Sequence, residues 1–288
     1  MNFCFWTIFY FIFFIISIND NILFFTSAGR VYRKKGYQIP EASRTAKGSH
    51  INNILNLEEN EKVTTMLHGR EYEEDGYLFM VTRNGTVKRT EKSQFRNIRA
   101  SGLRVLTLDE GDELITVEET DGKSNILIAT TNGMSICFKE SDVRPMGRTA
   151  VGVRGIRLKE KDHVVGAAKV TDDDVIVMVT ENGYGKRTLA TEYFRGRNGD
   201  ELQSRGGYGV KGYQVTEKTG LVTGIGLADD ADDILLISND GTMIRMAVTD
   251  INIYSRSAQG VRTMKVSDGS KVISMTLVRR DDTDDTEE

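Results

Sequence analysis

Arginine is the residue type whose spacing in this chain could do chemistry, and that chemistry is electrostatic. Arg33, Arg89, Arg187 and Arg245 each follow a glycine by four residues, with Cys137 interrupting the row. Arg44, Arg148, Arg205 and Arg256 each precede a second glycine by four, and Arg99 stands one place off. Arg104, Arg154, Lys211 and Arg262 each follow that second glycine by two, where the first copy has His50. Lys34, Lys47, Lys88 and Lys186 lie beside these rows, with Arg30, Lys35, Arg195 and Arg197 nearby. A guanidinium is permanently charged and forks onto phosphate oxygens. Cations that recur at a fixed interval suit a polyanion with evenly spaced charges, and neutralising several phosphates releases counterions. Any single arginine serves equally well to cap a loop or pair with an acid. Three rows held in register favour an extended polyanion surface.

Other chemistries find little support. His50, His68 and His163 are scattered without carboxylates at ligand spacing, so no metal site is expected. No Gly-x-x-x-x-Gly-Lys-Ser/Thr loop is present, so no nucleotide site of that type is expected. Cys4 and Cys137 have neither metal spacing nor a partner cluster, which fits a reducing cytoplasm. The absence of a recognition-helix pattern argues against sequence-specific reading of the major groove.

Rows in register need a repeating scaffold. The pattern is a hydrophobic run, a Thr or Ser, and a turn ending in Gly. Its five copies are Ile22–Gly29, Tyr77–Gly85, Ile126–Gly133, Val175–Gly183 and Ile234–Gly241. Four of the turns carry Asn-Gly or Asp-Gly, a hairpin signal resting on the tolerance of both residues for positive φ. The glycine intervals of 56, 48, 50 and 58 residues set a period near fifty. Each copy continues through the second glycine (Gly48, Gly102, Gly152, Gly209, Gly260) into an alternating run, and then a further apolar run. About four short strands per fifty residues predict an all-β propeller or pinwheel of about five repeats, with each repeat one blade.

Charge at the termini is uneven. The chain carries 38 bases and 42 acids, a net charge of −4, but residues 281–288 hold six of the acids and no base. The body is therefore slightly basic, and any polyanion site must come from arrangement. Residues 280–288 are expected to be a disordered acidic tail. Residues 1–18 are an apolar start, too short for a typical membrane span and without signal-peptide flanks. Three readings of it stay open: a frame-shifted start on a truncated gene, a buried strand, or an anchor. Residues 19–279 form the repeat domain.

Gly29-Arg-Val-Tyr-Arg-Lys-Lys-Gly-Tyr37-Gln-Ile-Pro40-Glu-Ala-Ser-Arg44-Thr-Ala-Lys-Gly48, together with Asn84–Thr90 and Asn182–Thr188, resembles the C-terminal domain of the DNA gyrase A subunit. The resemblance implies a six-bladed β-pinwheel that wraps double-stranded DNA around its rim. It also implies partnership with an N-terminal cleavage domain and a gyrase B subunit. The full enzyme would use ATP and Mg in those parts, and no cofactor would act in this chain. Two departures stand out. Five repeats are present in place of six. The family's first-repeat box of cations and glycines is matched only by a degenerate copy in the fourth repeat, Gln203-Ser-Arg205-Gly206-Gly207-Tyr208-Gly209. Two rival readings are the related module of topoisomerase IV and a membrane-tethered, protein-binding propeller. Salt-sensitive DNA binding separates the last from the other two.

Overall fold

The computed structural model describes residues 17–41, 49–69, 75–194 and 201–280. The expectations placed on residues 1–16, Arg44, Lys47, Gly48, Arg195, Arg197 and the tail 281–288 lie outside these residues. The chain divides into two compact units. One comprises residues 14–124 and 139–157, and the other comprises 125–138 and 158–288, with a further N-terminal stretch outside the described residues.

The strands follow the sequence repeats. The first repeat forms β1 (Asn21–Thr26), β2 (Arg30–Lys35) and β3 (Val63–Gly69). The second forms β4 (Tyr77–Thr82), β5 (Thr86–Glu91), β6 (Leu103–Arg104) and β7 (Leu114–Thr120). The third forms β8 (Asn125–Thr130), β9 (Met134–Lys139), β10 (Val153–Arg154) and β11 (Val164–Val170). The fourth forms β12 (Val175–Thr180), β13 (Tyr184–Leu189), β14 (Val210–Lys211) and β15 (Val222–Ala228). The fifth forms β16 (Asp232–Ser238), β17 (Met243–Ala247), β18 (Val261–Arg262) and β19 (Val272–Arg279).

The five repeats make five sheets, as the all-β propeller expectation has it, but a sheet is not built from one repeat alone. The five antiparallel sheets run β3-β1-β2-β6, β7-β4-β5-β10, β11-β8-β9-β14, β15-β12-β13-β18 and β19-β16-β17. Each two-residue strand is lent backward to the sheet of the preceding repeat. Two sheets belong to the first unit and three to the second. Among the described residues, nothing pairs with the outer edge of β17, and Met243 on it is 49% exposed. Among the described residues, no sheet precedes that of the first repeat. Its segment forms a short 3-10 helix, Ile51–Asn53, and packs Ile51, Ile54 and Leu55 on Ile22, Phe24 and Tyr32 of its own sheet.

The five hairpins share one turn. Gly29, Gly85, Gly133, Gly183 and Gly241 all have positive φ, and each donates its N–H to the carbonyl three residues back at 2.9–3.0 Å. Asn84, Asn132, Asn182 and Asp240 do not have positive φ, so the two-residue mirror turn suggested by Asn-Gly is not formed. The geometry is a turn closed by one left-handed glycine, the common three-residue hairpin loop. The preceding Thr26, Thr82, Thr130, Thr180 and Ser238 are buried, and their hydroxyls bridge to backbone four residues on. This accounts for the Thr or Ser at every copy. A register shift recurs where the closing strand starts, as between Val81 and Thr82 and between Ile237 and Ser238.

Both faces of the inner strands are covered. In β12, Ile176 and Met178 pack with Leu127, Cys137 and Tyr213, while Val177 and Val179 pack with Ile234, Leu236 and Met264. In the other unit Phe25, Leu78, Met80, Val105 and Leu114 form one cluster. Each such buried side chain contributes about 1.5–3 kcal/mol. That burial holds the hairpins rigid enough to present their edges.

Candidate nucleic-acid interface

The row four residues after the turn glycine is split: Arg89 and Arg187 turn inward, whereas Arg33 and Arg245 are exposed. Arg89 is 7% exposed, lies 4.4 Å over the Tyr77 ring and stands 3.8 Å from the buried Glu140 carboxylate. Arg187 is 8% exposed; its Nε donates to the Ile251 carbonyl and its Nη1 to Asp230. Arg245 donates from Nε to Asp233 Oδ2 at 2.6 Å. Arg33 is exposed and donates from Nη1 to the Arg96 carbonyl at 3.1 Å. For Arg89, Arg187 and Arg245 the structural role expected of any one arginine describes the geometry.

Lys88 and Lys186 correct the sequence reading more sharply. Both are fully buried. Lys88 Nζ donates to the carbonyls of Val105 and Arg148, and Lys186 Nζ to those of Ser255 and Arg256. Burial pushes Lys88 down to about 8, helped by Arg148. Burial pushes Lys186 down to about 7, helped by Arg256 and opposed by Glu192. Its ammonium also lies 4.9 Å from the Tyr213 ring centroid. These lysines clip the loop that leads into a lent strand. Lys34 is half-buried on β2.

The row before the second glycine lies on those loops. Arg99 is exposed, while Arg148, Arg205 and Arg256 are half-buried. Arg256 Nη1 donates to the Lys211 carbonyl at 2.6 Å. In the degenerate box, buried Gln203 donates from its backbone N to the Cys137 carbonyl at 2.9 Å and from Nε2 to the Tyr193 carbonyl at 3.1 Å. Gly206 and Gly209 have positive φ, and a Cβ on Gly209 would lie 2.2 Å from the Ser135 carbonyl oxygen. A Cβ on Gly207 would meet only ordinary contacts at 3.9 Å, Ile136 of β9 among them, and Tyr208 is 49% exposed. The glycines let the chain approach β9 closely, and Gln203 anchors the loop.

The row after the second glycine faces outward. Arg104, Arg154, Lys211 and Arg262 are all exposed, and each sits on a lent strand, β6, β10, β14 and β18. They occupy one register position, paired with Arg30, Thr86, Met134 and Tyr184, the residue after each turn glycine. Arg262 Nη2 donates to the Tyr184 hydroxyl at 3.1 Å, which holds its guanidinium near the sheet edge. His50, the counterpart in the first repeat, accepts instead from the Asn52 N–H as a helix cap.

No group of three His, Cys, Asp or Glu side chains among the described residues is placed to hold a metal ion. Burial pushes the Cys137 thiol up to about 12, so it stays protonated.

The family model of the DNA gyrase C-terminal domain, a β-propeller, matches residues 20–68, 76–121, 124–171, 174–229 and 232–279, one segment per repeat. The chain belongs to this family. Among its relatives, the DNA gyrase A subunit of Staphylococcus epidermidis is 43% identical over 270 residues, covering 93% of this chain. The DNA gyrase A subunit of Staphylococcus aureus is 42% identical over 276 residues, covering 95%. The chain spans 30% of the length of each of these relatives. The solved C-terminal domain of DNA topoisomerase IV superposes with a TM-score of 0.80 at 29% identity, over 91% of this chain and 80% of that one. A solved DNA gyrase A C-terminal domain gives 0.76 at 24% identity, over 91% and 83%, a likeness of fold.

Proposed function

We propose that this chain binds duplex DNA and wraps it, as the C-terminal module of a gyrase A subunit. The observation that carries the reading is the outward row Arg104, Arg154, Lys211 and Arg262, one cation per lent strand. Arg33 on β2 and Arg99, Arg148, Arg205 and Arg256 on the neighbouring loops support it. Contacts of this kind go to phosphates and carry no base code. An electrophoretic titration at several salt concentrations tests the reading. Affinity is expected to fall steeply with salt; a flat dependence overturns it.

In the full enzyme the module would work with an N-terminal cleavage domain and a B subunit, where ATP and Mg are used, to drive negative supercoiling in the cytoplasm. Residues 19–279 would be the DNA-binding domain, 1–18 an unrelated start and 280–288 an acidic tail. No helix among the described residues is long and apolar enough to cross a membrane. Bending a short duplex through 40–90° costs about 1–6 kcal/mol, so wrapping needs contacts spread over several sheets.

A second reading, the equivalent module of topoisomerase IV, is favoured by the 0.80 superposition and 29% identity. Linking-number shifts of circles ligated on the protein separate the two. A strong shift of one sign supports wrapping by a gyrase module, and binding without a shift supports the second reading.

A further inference from the structure

Beside the second sheet, in the unit that holds residues 14–124 and 139–157, lies a cavity of about 320 Å³. Ser93, Gln94, Arg96, Asn97 and Arg148 line it. These residues carry two guanidiniums, two amides and a hydroxyl, and no carboxylate. Such a donor set matches a phosphate, whose oxygens accept from forked guanidiniums and neutral N–H or O–H groups alike. The wall is held from behind. Lys88 Nζ donates to the Arg148 carbonyl, which fixes the backbone of that loop at the cavity wall. Arg33 Nη1 holds the Arg96 carbonyl at 3.1 Å, so another cation stands beside the mouth.

The chain contains its own control. The fourth sheet repeats the same hairpin and clip, with Lys186 on the carbonyls of Ser255 and Arg256. The residue matching Gln94, nine after the turn glycine, is there Glu192, and its carboxylate accepts from the Arg256 N–H. The position that offers a neutral amide beside the second sheet offers a negative charge beside the fourth. The lining beside the second sheet, without a carboxylate, suits an anion, and the fourth sheet does not repeat it.

Resting on the DNA-binding reading above, we propose that the cavity lined by Ser93, Gln94, Arg96, Asn97 and Arg148 seats one backbone phosphate of duplex DNA and so fixes the register of the duplex on this unit. Contacts from an open row of cations tolerate sliding, whereas a phosphate set into a cavity does not.

The test uses the full chain and a short duplex, titrated at several salt concentrations. Gln94→Glu copies the fourth sheet's arrangement. Arg148→Ala removes a guanidinium but keeps the carbonyl that Lys88 needs. Each is expected to weaken binding roughly tenfold, the loss of a charge-assisted contact, and Arg148→Ala also to lower the salt slope by about one. Asn97→Asp, on an exposed side chain, is a second carrier of the same charge change. If the duplex binds and all three variants match the parent in affinity and slope, the cavity proposal fails while the DNA reading stands. If the parent binds no duplex, both fail. Inorganic phosphate alone is the remaining arm. Weak binding of it against tight binding of the duplex supports the proposal, and comparable binding overturns a seat built for DNA.

Discussion

The hairpin of the second sheet and that of the fourth are written in nearly the same residues, Asn84-Gly-Thr-Val-Lys88-Arg89-Thr90 and Asn182-Gly-Tyr-Gly-Lys186-Arg187-Thr188. Their buried lysines do a similar job: Lys186 holds two adjacent carbonyls of the following loop, Ser255 and Arg256, while Lys88 holds the equivalent Arg148 carbonyl and that of Val105. Their arginines differ. Arg89 faces the fully buried Glu140, whereas Arg187 pairs with Asp230, whose side chain is 78% exposed. The positions nine residues after the turn glycine differ again, Gln94 against Glu192. The shared motif is a structural lock. Any specialisation toward a ligand is placed a few residues beyond it, where the fold tolerates change.

The largest expected effect tests the lock. Lys186→Met leaves the Ser255 and Arg256 carbonyls without their donor, at about 1–3 kcal/mol each. Urea unfolding should show a loss of roughly 2–4 kcal/mol, and Lys88→Met should behave alike. A loss confined to one of them would mean that the motif has diverged in role. Next, Arg187→Ala should cost about 1–2 kcal/mol, chiefly for the lost bond to the Ile251 carbonyl. Arg245→Ala, with its side chain 45% exposed, should cost less than about 1 kcal/mol.

The two lysines should also separate by pH. Both native values are lowered from 10.5, Lys186 to about 7 and Lys88 to about 8. Between its native value and 10.5 the unfolded chain binds more protons, so stability rises with pH across that window and levels off below it. From pH 7 to 8 the rise comes mainly from Lys186, with a slope below about 1.4 kcal/mol per unit. Urea midpoints from pH 6 to 9 should lose that first rise in Lys186→Met and keep it in Lys88→Met. Neutral Lys still has two N–H groups for its two carbonyls, so deprotonation does not undo the clip. The smallest effect sharpens the contrast in ligand preference. Glu192→Gln should tighten duplex binding about two- to threefold, mainly at low salt.

Much of the fold was legible because the hairpins advertise themselves. Thr82 and Gly85, or Thr180 and Gly183, bracket a turn whose left-handed glycine and buried hydroxyl leave few substitutes. The lending of strands was not legible. Val153-Arg154 or Val261-Arg262 is too short to carry pairing information, and its partner is set by where the previous sheet ends. The outward row was legible from its spacing alone. The inward Lys88 and Arg89 were misread because recurrence at a fixed spacing was taken to mean exposure, and these strands are covered on both faces. The cavity could not be foreseen, since Arg148 reaches Ser93 and Gln94 only after a loop from the next repeat is clipped into place.

Backward lending makes the coupling between repeats one-directional. When a repeat unfolds, the sheet before it loses its outer strand, but the sheet after it keeps all of its own. A stack of modules with symmetric neighbours frays equally from both ends. This one should fray from the last sheet, where the edge of β17 has no partner among the described residues. Amide hydrogen exchange should therefore be fastest in β17 and slow progressively toward β5 and β2, a gradient of protection running against the direction of the chain.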